Sequence, residues 1–495
     1  MFLDLANLSA ITIALPTIQE DFNVDVGNLQ WVISAYALTF GGFLLLGGRG
    51  GDIFGHRRVL LFGMVFFALF TMVCALSPTF IGLVVARAFQ GIGAAFTIPP
   101  AQAHIALHFT QPAKKAKALG IWGASGSLGF IVGLILGGVL TAFLGWRWIF
   151  WISLILSGLV IPAAYLILPR VPSSRAAAPP PSDGERVTTR PPTQKKLTQS
   201  VRILLLTYAL TSANSVGWNA PQIIATLIVS LVLLVLFILH ERSAPQAILA
   251  PHLFRNLSFN LTLVLAVNTY AVRQACTYFL TVQLQSFGNS AIHTSVLFIP
   301  LGISAFIFNT LSGRLVPILG ARAMFVIGWG LSIPGVLLFA FIDEHTSYWR
   351  FTFPGMILYI AGIGAVYIAA NFVIVSSASK SDQGAAAGVF NVALQVGGSV
   401  LGLAVLTAVA EGIEKTYSDS SLPTGTLSHV GYQSVYFSCA ILCFIGFLLS
   451  VFAITVPESM RGTIWKKKAV VEARGMPVDN ASDTYELQHT NVREN

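Results

Sequence analysis

Gly48-Arg49-Gly50-Gly51-Asp52-Ile53-Phe54-Gly55-His56-Arg57-Arg58 joins two apolar runs, Leu29 to Gly48 and Val59 to Ser77. Each run is about the length of a membrane-spanning helix, which takes about 20 apolar residues. The junction therefore has to turn the chain within a few residues, and its glycines permit a sharp turn between helices. It carries one acid, Asp52, among Arg49, His56, Arg57 and Arg58. A hydrophobic hairpin with a short, basic, single-acid tip is the unit from which the rest of the chain is read.

The same tip occurs twice. Gly313-Arg314-Leu315-Val316-Pro317-Ile318-Leu319-Gly320-Ala321-Arg322 repeats Gly48, Arg49, Gly55 and Arg57 at one fixed offset, and that offset also pairs Gly123, Gly133 and Gly137 with Gly388, Gly398 and Gly402. An offset held over so long a stretch marks an internal duplication, and many transporters consist of two related halves around a midplane site.

The 495 residues are 55% hydrophobic and only 10% charged, against roughly 25% charged in soluble domains. A soluble protein is excluded. Candidate spans run Met1 to Ile18, Leu29 to Gly48, Val59 to Ser77, Phe80 to Phe109, Lys117 to Leu144 and Trp148 to Leu168. Eight follow a polar interval: Val201 to Gly217, Pro221 to His240, Phe259 to Gln283, Ile292 to Ser312, Ala323 to Ile342, Phe351 to Val375, Gly384 to Ala410 and Tyr432 to Val456. The expected organisation is an N-terminal six-helix bundle (1–168), a cytoplasmic linker (169–200), an inserted helix pair with its connection (201–257), a C-terminal six-helix bundle (258–456) and a disordered cytoplasmic tail (457–495). The first and seventh spans are short, as an incomplete gene model would leave them.

Of the 29 Lys and Arg residues, all but Arg147, Arg350 and Lys415 outside and Arg87 and Arg273 within spans fall on one side if the amino terminus is cytoplasmic. By the positive-inside rule both termini are then cytoplasmic. The net charge of +9 thus reflects membrane topology, and no nucleic-acid partner is expected. The four cysteines lie in apolar runs without further ligands, so neither a disulfide framework nor a metal site is expected. No nucleotide-binding loop is present, and no H-E-x-x-H or G-x-S-x-G supports an enzyme.

The loop at Gly48 resembles the major facilitator superfamily signature G-x-x-x-D-x-x-G-[RKH]-R-[RK]. The resemblance implies a conformational latch of Gly48, Asp52, Gly55, Arg57 and Arg58, echoed by Gly313, Arg314, Gly320 and Arg322. In it Asp52 contacts Arg57 and the helix beginning at Gly384. Arg87, Gln90 and Gly91 match R-x-x-Q-G-x-G-A-A, which implies proton coupling. Insertion of Arg costs about 2.5 to 3.5 kcal/mol at a helix centre on the translocon scale, so an intramembrane Arg is expected to face a cavity or a partner. Gly129, Gly133, Gly137 and Gly138 are similar to the antiporter signature G-x-x-x-G-P-x-x-G-G, with Leu134 in the proline's place. Ala14 to Ile18, Leu29 to Leu38, Trp146 to Phe150 and Asp382 to Ala386 are similar to the fourteen-span drug:proton antiporters, particularly their fungal aminotriazole-resistance-like branch. Asn7 stands where many members carry an acid, leaving Asp4.

The expected substrate cavity comprises Trp31, Tyr36, Asn268, Arg273, Gln274, Asn371, Asn391 and Gln395, polar or aromatic residues on spans that line the cavity in this fold. These features lead to a proton-coupled exporter of small molecules, an all-α integral membrane protein of the major facilitator fold. It is expected to act as a monomer in the plasma membrane, or else the vacuolar membrane, with the bilayer, protons and substrate as partners and a proton gradient in place of any cofactor. The alternatives are an importer or facilitator of a small cation such as ammonium, and a transport-inactive sensor.

Overall fold

The computed structural model describes residues 1–24, 31–169, 251–289, 291–379, 381–417 and 428–452. Apart from Pro169 and residues 251–257, the linker, the inserted pair and the tail expected from sequence lie outside these residues. The first half contains α1 (Phe2–Phe22), α2 (Trp31–Phe54), α3 (His56–Leu76), α4 (Phe80–Ala95), α5 (Ile98–His108), α6 (Pro112–Phe143) and α7 (Arg147–Ile167). The second contains α8 (Leu257–Ser286), α9 (Ala291–Leu297), α10 (Ile299–Leu319), α11 (Ala321–Phe339), α12 (Thr352–Ser377), α13 (Gln383–Val392), a π-helical segment (Ala393–Gly402), α14 (Leu403–Tyr417) and α15 (His429–Phe452). With α4–α5, α9–α10 and α13–α14 each counted as one broken pass, either half makes six passes.

Among the described residues, nine helices or helix pairs are long and apolar enough to cross a membrane. Of the remaining passes, α1 offers a shorter apolar stretch (Phe2–Leu15), α13–α14 is interrupted by its π-helical segment, and α8 is more polar. A helix whose polar faces are covered by neighbours need not be apolar all round.

The turns follow from local chemistry. Gly55 and Gly320 end α2 and α10 with φ of 94° and 86°, a region that side-chain-bearing residues avoid; each lets the next helix start at once. Thr79 caps α4 by accepting from the Gly82 amide at 3.2 Å, and Asn256 caps α8 by accepting from Ser258 at 3.0 Å. Both satisfy an orphan amide of a helix start. Pro99 and Pro100 sit in the first turn of α5, where missing N–H groups cost little.

Small residues bring helices into contact. Gly129, Gly133 and Gly137 of α6 lie directly on the α1 backbone at Phe2, Ala6 and Ala10, and a Cβ on any of them would overlap it. Ser9 donates to the Phe130 carbonyl across this contact at 2.9 Å. Gly138 faces only the Ile13 side chain at ordinary distance. In the second half α12 is buried along nearly its whole length between α10, α11, α8 and α13. At the end opposite the Gly48 loop, Asp21 accepts from Arg147 at 2.8 Å and from the Trp146 indole at 3.0 Å. These bonds hold its carboxyl below the usual carboxylate range, the Trp146 bond contributing most.

The halves meet along α2–α13, α6–α10, α5–α13 and α6–α12. Gly120 lies against Gly313 and Gly302 against Ile131, and Asn309 donates to Ser127 at 3.1 Å. The α2–α13 contact is carried by the Leu44 to Asp52 end of α2. The outer half of α2 instead packs within its own bundle, Tyr36 and Thr39 against Gly91.

Candidate transport site

Three clusters of polar residues stand out, two of them reaching this seam and one lying inside the first bundle. The first is the tip of α2. Asp52 is buried, and its two carboxylate oxygens accept from the backbone amides of Gly384 and Ala385, each at 2.9 Å. These are among the unpaired amides that open α13, at the positive end of its dipole, and a charged acceptor there forms strong bonds. Gly48 and Gly384 meet backbone to backbone, with no room for a Cβ on either. His56 Nε2 lies 3.3 Å from Asp52, and Arg49 lies 3.8 Å from Asp52 and 3.3 Å from Asp382, which precedes α13. The loop therefore spans the two halves through Arg49, Asp52 and His56.

Arg57, expected beside Asp52, turns the other way. Its guanidinium donates to the Tyr165 carbonyl and lies over the Tyr165 ring, 5.0 Å from the centroid. Arg322, its repeat partner, donates to the Val451 carbonyl. Tyr165 and Val451 belong to the last turns of α7 and α15, so each Arg caps the final helix of its own bundle, where cations meet the negative dipole end. Arg58 and Arg314 are exposed. Asp52 has Pro317 as its repeat counterpart, so the second loop has no acid to offer the first half.

The second cluster is buried inside the first bundle. Arg87 donates through Nε to the Val32 carbonyl at 3.0 Å and through Nη1 to Asn7 at 2.7 Å and Gln90 at 2.6 Å. Its guanidinium lies over the Tyr36 ring at 4.4 Å. Gln90 donates to Thr71 at 2.6 Å, Asn7 donates to Ser153 at 3.3 Å, and the Tyr36 hydroxyl donates to Asp4. Gly91 lets α4 approach the Tyr36 carbonyl. Tyr36, expected in the substrate cavity, is instead buried in this network because its hydroxyl reaches α1 and its face covers Arg87. The residue that holds Arg87 from α1 is Asn7. The signal for it was spacing: Asp4 and Asn7 lie at i, i+3, one face of a helix.

The third cluster lies on α8 and α12. Tyr270, Gln274 and Thr277 share one face of α8, and the Arg273 guanidinium lies over the Tyr270 ring at 4.4 Å. Tyr270 meets Tyr367 at 5.9 Å between ring centroids, Tyr367 stacks on Phe390 at 6.0 Å, and Tyr367 reaches Gly123 of the other half. Asn371, fully buried one turn below Tyr367, has that hydroxyl within reach, yet neither its amide nitrogen nor its oxygen completes a hydrogen bond.

Two expected cavity residues lie elsewhere. Asn268 donates to the Leu442 carbonyl of α15 at 2.7 Å, on the face of α8 turned into its own bundle. Asn391 is buried and bonds to Gln102 of α5, pinning the seam. Gln395 falls in the π-helical segment, whose wider turn takes it out of simple one-turn register with Asn391. Trp31 is half-buried at the start of α2.

In sequence, the chain is similar to the puromycin resistance protein pur8 of Streptomyces alboniger, 33% identical over 416 residues covering 83% of this chain and 79% of that protein. It is similar to the low affinity ammonium transporter of Saccharomyces cerevisiae, 30% identical over 387 residues covering 77% and 74%. The human organic anion transporter MFSD10 superposes with a TM-score of 0.64 at 18% identity, covering 91% of this chain and 96% of its own; at that identity the likeness is one of fold. The family model for the Major Facilitator Superfamily matches residues 1–402. Two related six-pass bundles, the Asp52 contact between them and that match over most of the sequence place this chain in the major facilitator superfamily.

Proposed function

We propose that the protein exports small organic molecules in exchange for protons, by alternating access between its two bundles. The observation that carries this reading is that α2 joins the buried charge cluster to the seam. Val32 and Tyr36 near one end of α2 hold Arg87 and Asp4; Asp52 at the other end holds α13. Sixteen residues of helix, about 24 Å, lie between them. Protonation of Asp4 removes the charge that Tyr36 donates to, and a stiff helix passes the resulting shift to the latch.

In this reading the gradient replaces a cofactor, since one charge moving across 100 mV yields about 2.3 kcal/mol, enough for roughly a fifty-fold substrate gradient. The Gly48 loop and both termini face the cytoplasm, the conformation is closed on that side, and the two expected inserted helices bring the total to fourteen passes. The protein works as a monomer in the plasma membrane, with substrate, protons and bilayer as its partners. Resistance proteins among its relatives support export of drugs or toxins.

The test is substrate flux in proteoliposomes under an imposed pH gradient. Asp4→Asn should retain exchange of substrate across the membrane but lose accumulation driven by the gradient. Undiminished gradient-driven accumulation by this variant would remove Asp4, and the coupling route with it. A second reading, entry of a small cation such as ammonium, is favoured by the similarity to the yeast ammonium transporter. Gradient-driven flux of ammonium toward the side of the Gly48 loop would select it.

A further inference from the structure

Among the described residues Arg273 is the second guanidinium set well away from the ends of a membrane pass, and its environment differs from that of Arg87. Arg87 is bonded through Nε and Nη1 and packed on a ring. Arg273 is half-buried with its Nε buried and unbonded, and no carboxylate of the described residues pairs with it. At the level of these clusters the described helices carry Arg87, Arg273 and one carboxylate, Asp4, which Tyr36 engages. Their other acids, Glu20, Asp21, Asp52, Glu411 and Glu414, lie within two turns of helix ends. Among the described residues the Arg273 charge is thus left without a carboxylate partner. An unneutralised cation inside a membrane protein is costly and attracts an anion while repelling cations.

The surroundings add shape. Tyr270, Tyr367 and Phe390 form a run of aromatic faces that reaches the seam at Gly123, and Asn371 below them is fully buried with an unsatisfied amide. A buried amide with neither atom bonded is costly unless something else completes it. We infer that this cluster is the substrate site and that the transported class is a small aromatic anion, its carboxylate or sulfonate on the Arg273 fork, its ring against Tyr270 and Tyr367, and a polar substituent at Asn371. This rests on the transport reading above and narrows it: a planar guanidinium suits two-point binding of such oxyanions.

Benzenesulfonate and benzyltrimethylammonium, rings of similar size with fixed opposite charges, test it on the purified full-length protein. Radioligand binding in detergent should favour benzenesulfonate by about tenfold or more, the range for a hydrogen bond to a charged group. Arg273→Gln should abolish the preference, Arg273→Lys should keep part of it, and Asn371→Leu, which adds no buried polarity, should weaken both ligands less than Arg273→Gln weakens the anion. Equal or tighter binding of the cation, binding of neither probe, or an unchanged preference in Arg273→Gln overturns the inference. Flux under a pH gradient separates it from the export reading. If the cation is driven out, export stands and the anion site falls; if benzenesulfonate binds but no gradient drives it, the site stands and export falls.

Discussion

Arg87 shows how one residue can be fixed by its neighbours more than by its charge. Nε points at the Val32 carbonyl while Nη1 bridges Asn7 and Gln90, a planar geometry that a lysine ammonium cannot reproduce. Arg87→Lys is therefore expected to lose gradient-driven transport as fully as Arg87→Ala, and to lower the thermal midpoint, because Asn7 and Gln90 each lose a partner at about 1 to 3 kcal/mol. Efflux assays together with thermal unfolding followed by size-exclusion chromatography check both. Asp21 gives a pH-dependent case. Its carboxyl is held low by Trp146 and Arg147, so its contribution is present above the ordinary carboxylate pKa, about 3.9, and is lost as pH falls through the lower folded value. Asp21→Asn should remove that part of the acid sensitivity of unfolding below about pH 4 and leave neutral-pH transport intact.

At the scale of elements, packing assigns different weights to glycines that a motif treats alike. Gly133 lies on the backbone of Ala6 and beneath Ser9, whereas Gly138 faces only Ile13 at ordinary contact distance. Gly133→Val is expected to push α1 from α6, with a loss of several degrees in thermal midpoint and of transport, since overpacking costs about 1 to 3 kcal/mol. Gly138→Ala should change stability by no more than about 0.5 kcal/mol. The same thermal assay on the pair decides it, and equal effects would refute the packing assignment. The repeated arginines, Arg57 and Arg322, belong to this scale too: both close the last helix of their own bundle, so the duplicated loop motif serves bundle integrity as well as the seam.

In the whole molecule, the Gln102–Asn391 and Asp52–Gly384 contacts close the seam on the side of the Gly48 loop. Alternating access requires them to part. A disulfide between Gln102→Cys and Asn391→Cys should block transport under oxidant and restore it with reductant, the four native cysteines being buried; flux through the oxidised protein would rule out separation at this site. Hydrophobic run length and the fixed repeat offset determined by themselves that the chain is a duplicated helical membrane protein, because bilayer thickness dictates span length and a duplication preserves turn residues such as Gly55 and Gly320. The contact of Asp52 with the start of α13 was expected from the resemblance of the Gly48 loop to the superfamily signature, and the positive end of a helix dipole gives it its physical reason. Which way each side chain turns was not legible. Arg57 was expected beside Asp52, and Asn268 and Asn371 read alike as intramembrane amides, yet Arg57 and Asn268 bond within their own bundles while Asn371 is buried without completing a hydrogen bond. That choice depends on the rotation of each helix against its neighbours, which arises from contacts between residues hundreds of positions apart, so only the tertiary structure could decide it.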